Sequence, residues 1–165
     1  MIMNDLRVGI LIGSKSDLQI AEKAIAVLEN LGIAHELRII SAHRTPEKAR
    51  IFAETARENN FAAIIAIAGK AAHLAGSIAA LTSLPVIGVP VKSDDLGGMD
   101  ALLSTVQMPA GIPVATVAIN GGENAAWLAA EILAVRDETL CEKLRLAREN
   151  MRAKIFEQEA SLNHD

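Results

Sequence analysis

Residues 61–68, FAAIIAIA, run for eight positions without a single polar side chain. A strand that wets one face alternates polar and apolar residues. An unbroken run of this length fits the centre of a parallel sheet with helices on both sides. That requirement limits the chain to layered α/β architectures, and the rest of the sequence has to supply the covering helices.

It does so at regular intervals. Residues 8–12 are a first aliphatic run, followed by polar GSKSD at 13–17 and by helical spacing through Ile20, Ala24, Val27, Leu28 and Leu31 that stops at Gly32. Residues 33–40 predict a second strand. SAHRTP at 41–46 then offers Thr45 as N-cap, Pro46 at the first helical position and Glu47 in the first turn of a helix reaching about Asn59. After the third strand come a GKAAH loop, a helix through about Thr82, a fourth strand at 85–89, the polar loop KSDDLGG and a short helix over 99–106. The proline-containing QMPAGIP precedes a fifth strand at 114–119. NGGE follows, then helical spacing over 124–135 with alanine at 125, 126, 129, 130 and 134, and Asp137 opens a last helix to about Glu157. The tail ASLNHD is expected to fray.

Five strands alternating with helices predict a three-layer α/β/α sandwich: a flavodoxin-like, five-stranded parallel sheet of order 2-1-3-4-5 with right-handed crossovers. The length of 165 residues suits a single α/β domain over 1–165, its core at about 7–136 and a C-terminal helix at about 137–158. Ligands in such sheets bind at the carboxyl ends of the strands, near the switch point between the first and third. GSKSD, SAHRT and GKAAH all fall at those ends, so three remote segments are expected to meet at one rim.

Composition narrows what that rim can hold. Hydrophobic residues make up 51% but aromatics only 2%, with 29 alanines and no Tyr, which leaves little to stack nucleobases on. A net charge of −4 offers no global field for nucleic acid or anionic lipid, so a phosphate needs a local site. Mean hydropathy of +0.28 is high for a small monomer, which leaves roughly a third of its chain surface exposed. Burial between subunits would absorb that surplus. Residues 71–91 carry no formal charge over 21 positions, yet Gly76, Pro85, Gly88 and Pro90 divide them into a buried helix and a buried strand rather than a membrane span. Residues 1–6 lack a signal-peptide pattern, so a cytoplasmic protein is expected. Cys141 is the lone cysteine and reads as an incidental helical thiol.

Several segments carry chemistry. GSKSD offers a bend at Gly13, hydroxyls and free backbone donors at a helix start, suited to a phosphate or polyol. Simple capping of the helix by Ser16 or Asp17 explains it equally well. His43 and Arg44 stand side by side at the predicted rim, a proton carrier beside a planar phosphate-binding fork, although such a pair is often solvated surface. His73, in so apolar a helix start, reads on its own as a hydrogen-bonded core histidine, and with His43 it has no metal-type spacing. No metal is expected. His35 beside the second strand and His164 in the tail invite no role. Asp94 and Asp95 read as part of a mobile, solvated loop rather than an acid pair, and Trp127 as a packing residue.

Taken in order, GSKSD, SAHRTP, AGxAAHL, LPVIGVPV and LLSTVQMPAGIPVAT resemble the PurE family, the N5-carboxyaminoimidazole ribonucleotide mutases of purine biosynthesis. The resemblance runs from about Val8 to Leu133. It implies an isomerase that moves a carboxylate from N5 to C4 of an aminoimidazole ribonucleotide through transient CO2, with no ATP, metal or organic cofactor. It further implies that His43 is catalytic; that Ser14, Ser16, Asp17, Ser41 and Arg44 bind the nucleotide; and that Gly69, Lys70, Ala71, His73 and Leu74 line the imidazole and carboxylate end. A homo-octamer with sites at subunit boundaries is implied as well, and neither nucleic acid nor membrane as partner. Lys70 stands where the mutase class usually has a small, glycine-like residue. A basic residue there is similar to the Arg of the second class, which carboxylates aminoimidazole ribonucleotide directly with CO2, and this is the alternative activity. A non-catalytic flavodoxin-like binding module is the alternative of another class; GSKSD and NGGEN occupy the places where a signalling receiver would have acidic residues and a lysine.

Overall fold

The computed structural model of the chain describes residues 6–162. Five parallel strands, β1 (Arg7–Ile12), β2 (Ala34–Ile39), β3 (Phe61–Gly69), β4 (Val86–Val91) and β5 (Ala115–Thr116), form one sheet in the order β2-β1-β3-β4-β5. The helices are α1 (Leu18–Leu31), α2 (Pro46–Thr55), α3 (Leu74–Ala79), α4 (Met99–Val106), α5 (Gly122–Ala134) and α6 (Glu138–Leu162). The expected topology is the observed one.

The alternation of strand side chains splits the core in two. Ile10 and Ile12 of β1 with Ala63, Ile65 and Ile67 of β3 face α1, α5 and the start of α6; Leu11, Ile64 and Ala66 face α2 and α3. Both faces of β3 are covered, which is why its sequence shows no polar positions.

Small residues let α1 and α5 approach closely. Ala21, Ala24, Ala125, Ala126, Ala129 and Ala130 are all fully buried. At the first residue of α5, a β-carbon on Gly122 would stand 2.2 Å from the Ile20 carbonyl oxygen of α1. Trp127 packs, half-buried, on the same cluster. α1 itself ends as the sequence signals, with Gly32 left-handed at φ 73 and the Ile33 N–H donating to Leu28 O at 2.8 Å.

Element ends differ from the sequence reading for identifiable reasons. α2 stops at Thr55 rather than near Asn59, because the Asn59 amide donates to Thr55 O and Asn60 turns left-handed at φ 61 to feed β3. Thr45 does hold the N-cap position of α2, but its hydroxyl donates back to Ser41 O at 3.0 Å instead of accepting from the helix. α3 ends at Ala79, three residues short of the expected Thr82, as the Leu81 N–H turns to Ile78 O. β5 has only two ladder residues, although Val117 and Asn120 still donate to Gly88 O and Pro90 O of β4.

α6 starts as expected, with Leu140 N–H donating to Asp137 Oδ1 at 2.9 Å, and continues past Glu157 to Leu162. Residues 163–165 of the expected fraying tail, His164 among them, lie outside the described residues, as do 1–5. Leu140 and Leu144 of α6 are buried, while Met151, Ile155 and Phe156 are exposed. No helix of the described residues is long and apolar enough to cross a membrane.

Ala at a helical Gly ordinarily stabilises, but at position 122 it meets a backbone oxygen that cannot step aside. Gly122→Ala is therefore expected to lower the unfolding free energy by about 1–3 kcal/mol. A urea midpoint equal to or above that of the parent protein would contradict the close α1–α5 approach.

Candidate active site

At the carboxyl ends of β1 to β4 lies an open cleft of about 570 Å³. All eleven residues singled out in the sequence line it: Ser14, Ser16, Asp17, Ser41, His43, Arg44, Gly69, Lys70, Ala71, His73 and Leu74. Leu74 does so with most of its side chain in the core, at 2% exposure. Lys92 and Ser93, the first residues of the loop after β4, line it too and were missed. The signal was available: KSDDLGG leaves a parallel strand at the same edge as the other three loops.

The first wall is a reciprocal cap. Ser14 precedes a short 3-10 turn, Lys15–Asp17, and its hydroxyl accepts a long 3.5 Å hydrogen bond from Ser16 N–H. Asp17 Oδ2 in turn accepts from Ser14 N–H at 3.2 Å, and its Oδ1 accepts from the Ser16 hydroxyl at 3.2 Å. Capping therefore belongs to Ser14 with Asp17, not to Ser16 or Asp17 alone. Burial pushes the Asp17 carboxyl above its ordinary range; the Ser16 hydroxyl, the Ser14 N–H and the Arg44 guanidinium pull it back only in part.

The second wall comes from the end of β2. Arg44 donates through Nη2 to Gly13 O at 3.0 Å and through Nε to Ser41 Oγ at 3.3 Å. The arginine thereby ties the loop after β2 to the end of β1. Ser41 Oγ also accepts from Arg44 N–H at 3.2 Å, and Ser41 N–H donates to Thr45 Oγ1 at 3.0 Å, so the loop is stiffened from within.

The third wall meets the second through a histidine pair. His43 Nε2 lies 3.0 Å from His73 Nδ1, with the rings edge to face, centroids 5.1 Å apart and planes at 78°. His73 is exposed at the N-cap of α3. The reading of it as a core histidine is overturned, since apolar neighbours in sequence do not bury a side chain that leaves the helix at its open end. One of the two facing nitrogens donates and the other offers a lone pair, so both rings cannot be imidazolium while the bond is kept. Such a pair can hold and release one proton beside a ligand.

On the same loop Lys70 adopts a left-handed backbone, φ 56, and its ammonium contacts Asp95 Oδ2 at 2.5 Å. Hydrogen bonding and charge lower the Asp95 carboxyl and raise the Lys70 ammonium. Asp95 is thus the counter-ion of Lys70 rather than half of an acid pair with Asp94. His35 lies in β2, its ring near Ile33 O, and Cys141 is exposed on α6; neither lines the cleft.

Arg44, Lys70 and Lys92 line the cleft with the Asp17 carboxyl, and Asp95 pairs with Lys70, which leaves a small local excess of positive charge.

Comparison with known proteins points the same way. The family description "AIR carboxylase" matches residues 7–154. The N5-carboxyaminoimidazole ribonucleotide mutase of Pyrococcus abyssi is 55% identical over 146 residues, covering 88% of this chain and 84% of the relative. That of Bacillus subtilis is 52% identical over 152 residues, covering 91% and 94%. The crystal structure of Treponema denticola PurE superposes with a TM-score of 0.86 at 33% identity, covering 95% of this chain and 98% of that one.

A buried carboxyl with a raised pKa favours the folded state when protonated. Its cost is fully present above that raised pKa and fades as pH falls toward the ordinary carboxylate value. Asp17→Asn removes the titration, so the stability of the variant relative to the parent is expected to be greater at pH 7 than at pH 4. Urea unfolding at the two pH values checks this; the opposite trend would contradict a raised Asp17.

Proposed function

The chain belongs to the AIR carboxylase family, and on that premise we propose that it converts N5-carboxyaminoimidazole ribonucleotide into 4-carboxy-5-aminoimidazole ribonucleotide in purine biosynthesis. The observation that carries the reading is the 3.0 Å contact between His43 and His73, two residues thirty positions apart that close a proton-handling site over a cationic, anion-sized cleft.

In this reading the phosphate and ribose lie against Ser14, Ser16, Asp17, Ser41 and Arg44, where backbone donors, hydroxyls and a guanidinium converge. The imidazole and its carboxylate extend toward Gly69, Lys70, Ala71, His73 and Leu74. His43, as imidazolium, gives its proton to N5 while the N5–carboxylate bond breaks and CO2 leaves. The electron-rich C4 attacks the CO2, and His43, now neutral, removes the C4 proton and recovers its starting form. Each electron pair and proton is accounted for, and histidine is the side chain suited to act as acid and then base near neutral pH. His73 positions the His43 ring. The alanine-lined loop keeps CO2 close enough for recapture to compete with escape.

Lys70 favours one second reading, direct carboxylation of aminoimidazole ribonucleotide by CO2. Offering purified protein the carbamate ribonucleotide, or aminoimidazole ribonucleotide with bicarbonate, separates the two.

We also take the protein to be a homo-octamer at work in the cytoplasm. Met151, Ile155 and Phe156 along α6, with Val135 just before it, leave exposed apolar surface that a neighbouring subunit would cover. The free ribonucleotide and transient CO2 are then its only other partners.

Without ATP, the protein is expected to interconvert the two carboxylated ribonucleotides, and His43→Asn is expected to slow this by about a thousandfold with nucleotide binding largely intact. A variant turning over at near the parental rate would remove His43 from the mechanism. Light scattering is expected to report a closed oligomer; a stable, active monomer would contradict the assembly.

A further inference from the structure

Three residues other than glycine have a left-handed backbone among the described residues: Asn60 at φ 61, Asn120 at φ 59 and Lys70 at φ 56. Asparagine tolerates this region better than other residues because its short amide can bond nearby backbone. Lysine has no such compensation, and the conformation is unfavourable for an ordinary L-residue. The ion pair with Asp95 does not offset that. Its side chains are 72% and 64% exposed, and exposed pairs contribute about 0–1 kcal/mol. Fold stability therefore favours glycine at position 70, and the lysine calls for a functional reason.

Its placement supplies one. Lys70 lines the cleft and stands three residues before His73, whose N–H donates to Ala71 O at 2.8 Å, so ammonium and imidazole ride on one tight turn. Arg44, by contrast, is committed to Gly13 and Ser41 at the other end. Lys70 thus shares its turn with His73, and the group already resting on it is a carboxylate. The backbone of the loop that delivers Asp95 is held by Lys92 N–H to Asn120 Oδ1 and Gly97 N–H to Ser93 O, while the Asp95 side chain has only the exposed contact with Lys70, so the carboxylate can be exchanged without moving the loop.

We infer that Lys70 determines specificity for the carboxylated forms of the ligand, taking the migrating carboxylate onto its ammonium in exchange for Asp95. The exchange swaps one carboxylate for another, so no uncompensated charge is created. The inference rests on the proposed function for the identity of the ligand and adds a discriminating residue to it.

Titration calorimetry with two ligands tests it: 4-carboxy-5-aminoimidazole ribonucleotide and the same ribonucleotide without the carboxylate. Lys70→Gly, which suits the left-handed backbone and is expected to fold with an undiminished thermal midpoint, should bind the carboxylated ligand about tenfold more weakly and the uncarboxylated one with unchanged affinity. Asp95→Asn, which removes the resident competitor, should bind the carboxylated ligand more tightly than the parent. If Lys70→Gly weakens both ligands equally, or neither, Lys70 is only a fastening for the loop and the inference falls while the proposed function stands. If the parent protein binds neither ligand, both fall.

Discussion

Everything the cleft can do depends on β3 being buried on both faces. A strand covered from two sides is paired most readily with parallel neighbours, and parallel strands send every following loop out at the same edge. The chain therefore does not have to fold its chemistry together. Ile12, Ile39, Gly69 and Val91 end their strands side by side, and whatever follows each of them is delivered to one rim. The two alanine-rich helices α1 and α5 serve that geometry by packing tightly enough to seal one face of the sheet.

Within the rim, loops are fixed by a few bonds to the ends of neighbouring strands. Arg44 reaches Gly13 O, Asn120 takes the Lys92 N–H, and Ser14 and Asp17 hold each other. The second and third walls meet at the imidazole contact, and the fourth loop is held to the third by an exposed ion pair. Rigidity thus falls from the Ser14–Arg44 end to the Lys70–Asp95 end.

The sheet order and the helices were legible in the sequence, because hydrophobic period is a local signal; strand-end polarity pointed to the three loops at the rim, and the individual cleft residues came from the resemblance to a family. What was not legible depended on contacts between distant residues or on backbone dihedrals. His73 looked like core because its neighbours are apolar; only the fold shows that it stands at the open end of α3 against His43. Ser14 was not recognised as the cap, since the cap is a reciprocal arrangement with Asp17 and both residues had other readings. The end of α2 moved because Asn59 and Asn60 bond the backbone themselves, a competition that apolar spacing does not register. The strain at Lys70 has no sequence signature beyond the contrast with relatives.

Arg44 is exposed, yet its guanidinium is already bound on two of its nitrogens to Gly13 and Ser41. A free arginine of this length gives up about 1.5–2 kcal/mol of rotamer entropy when a ligand immobilises it. Here that ordering took place during folding. Under the proposed function, an anion arriving at the cleft would meet a cation whose direction is already set, so that more of its attraction would go into affinity.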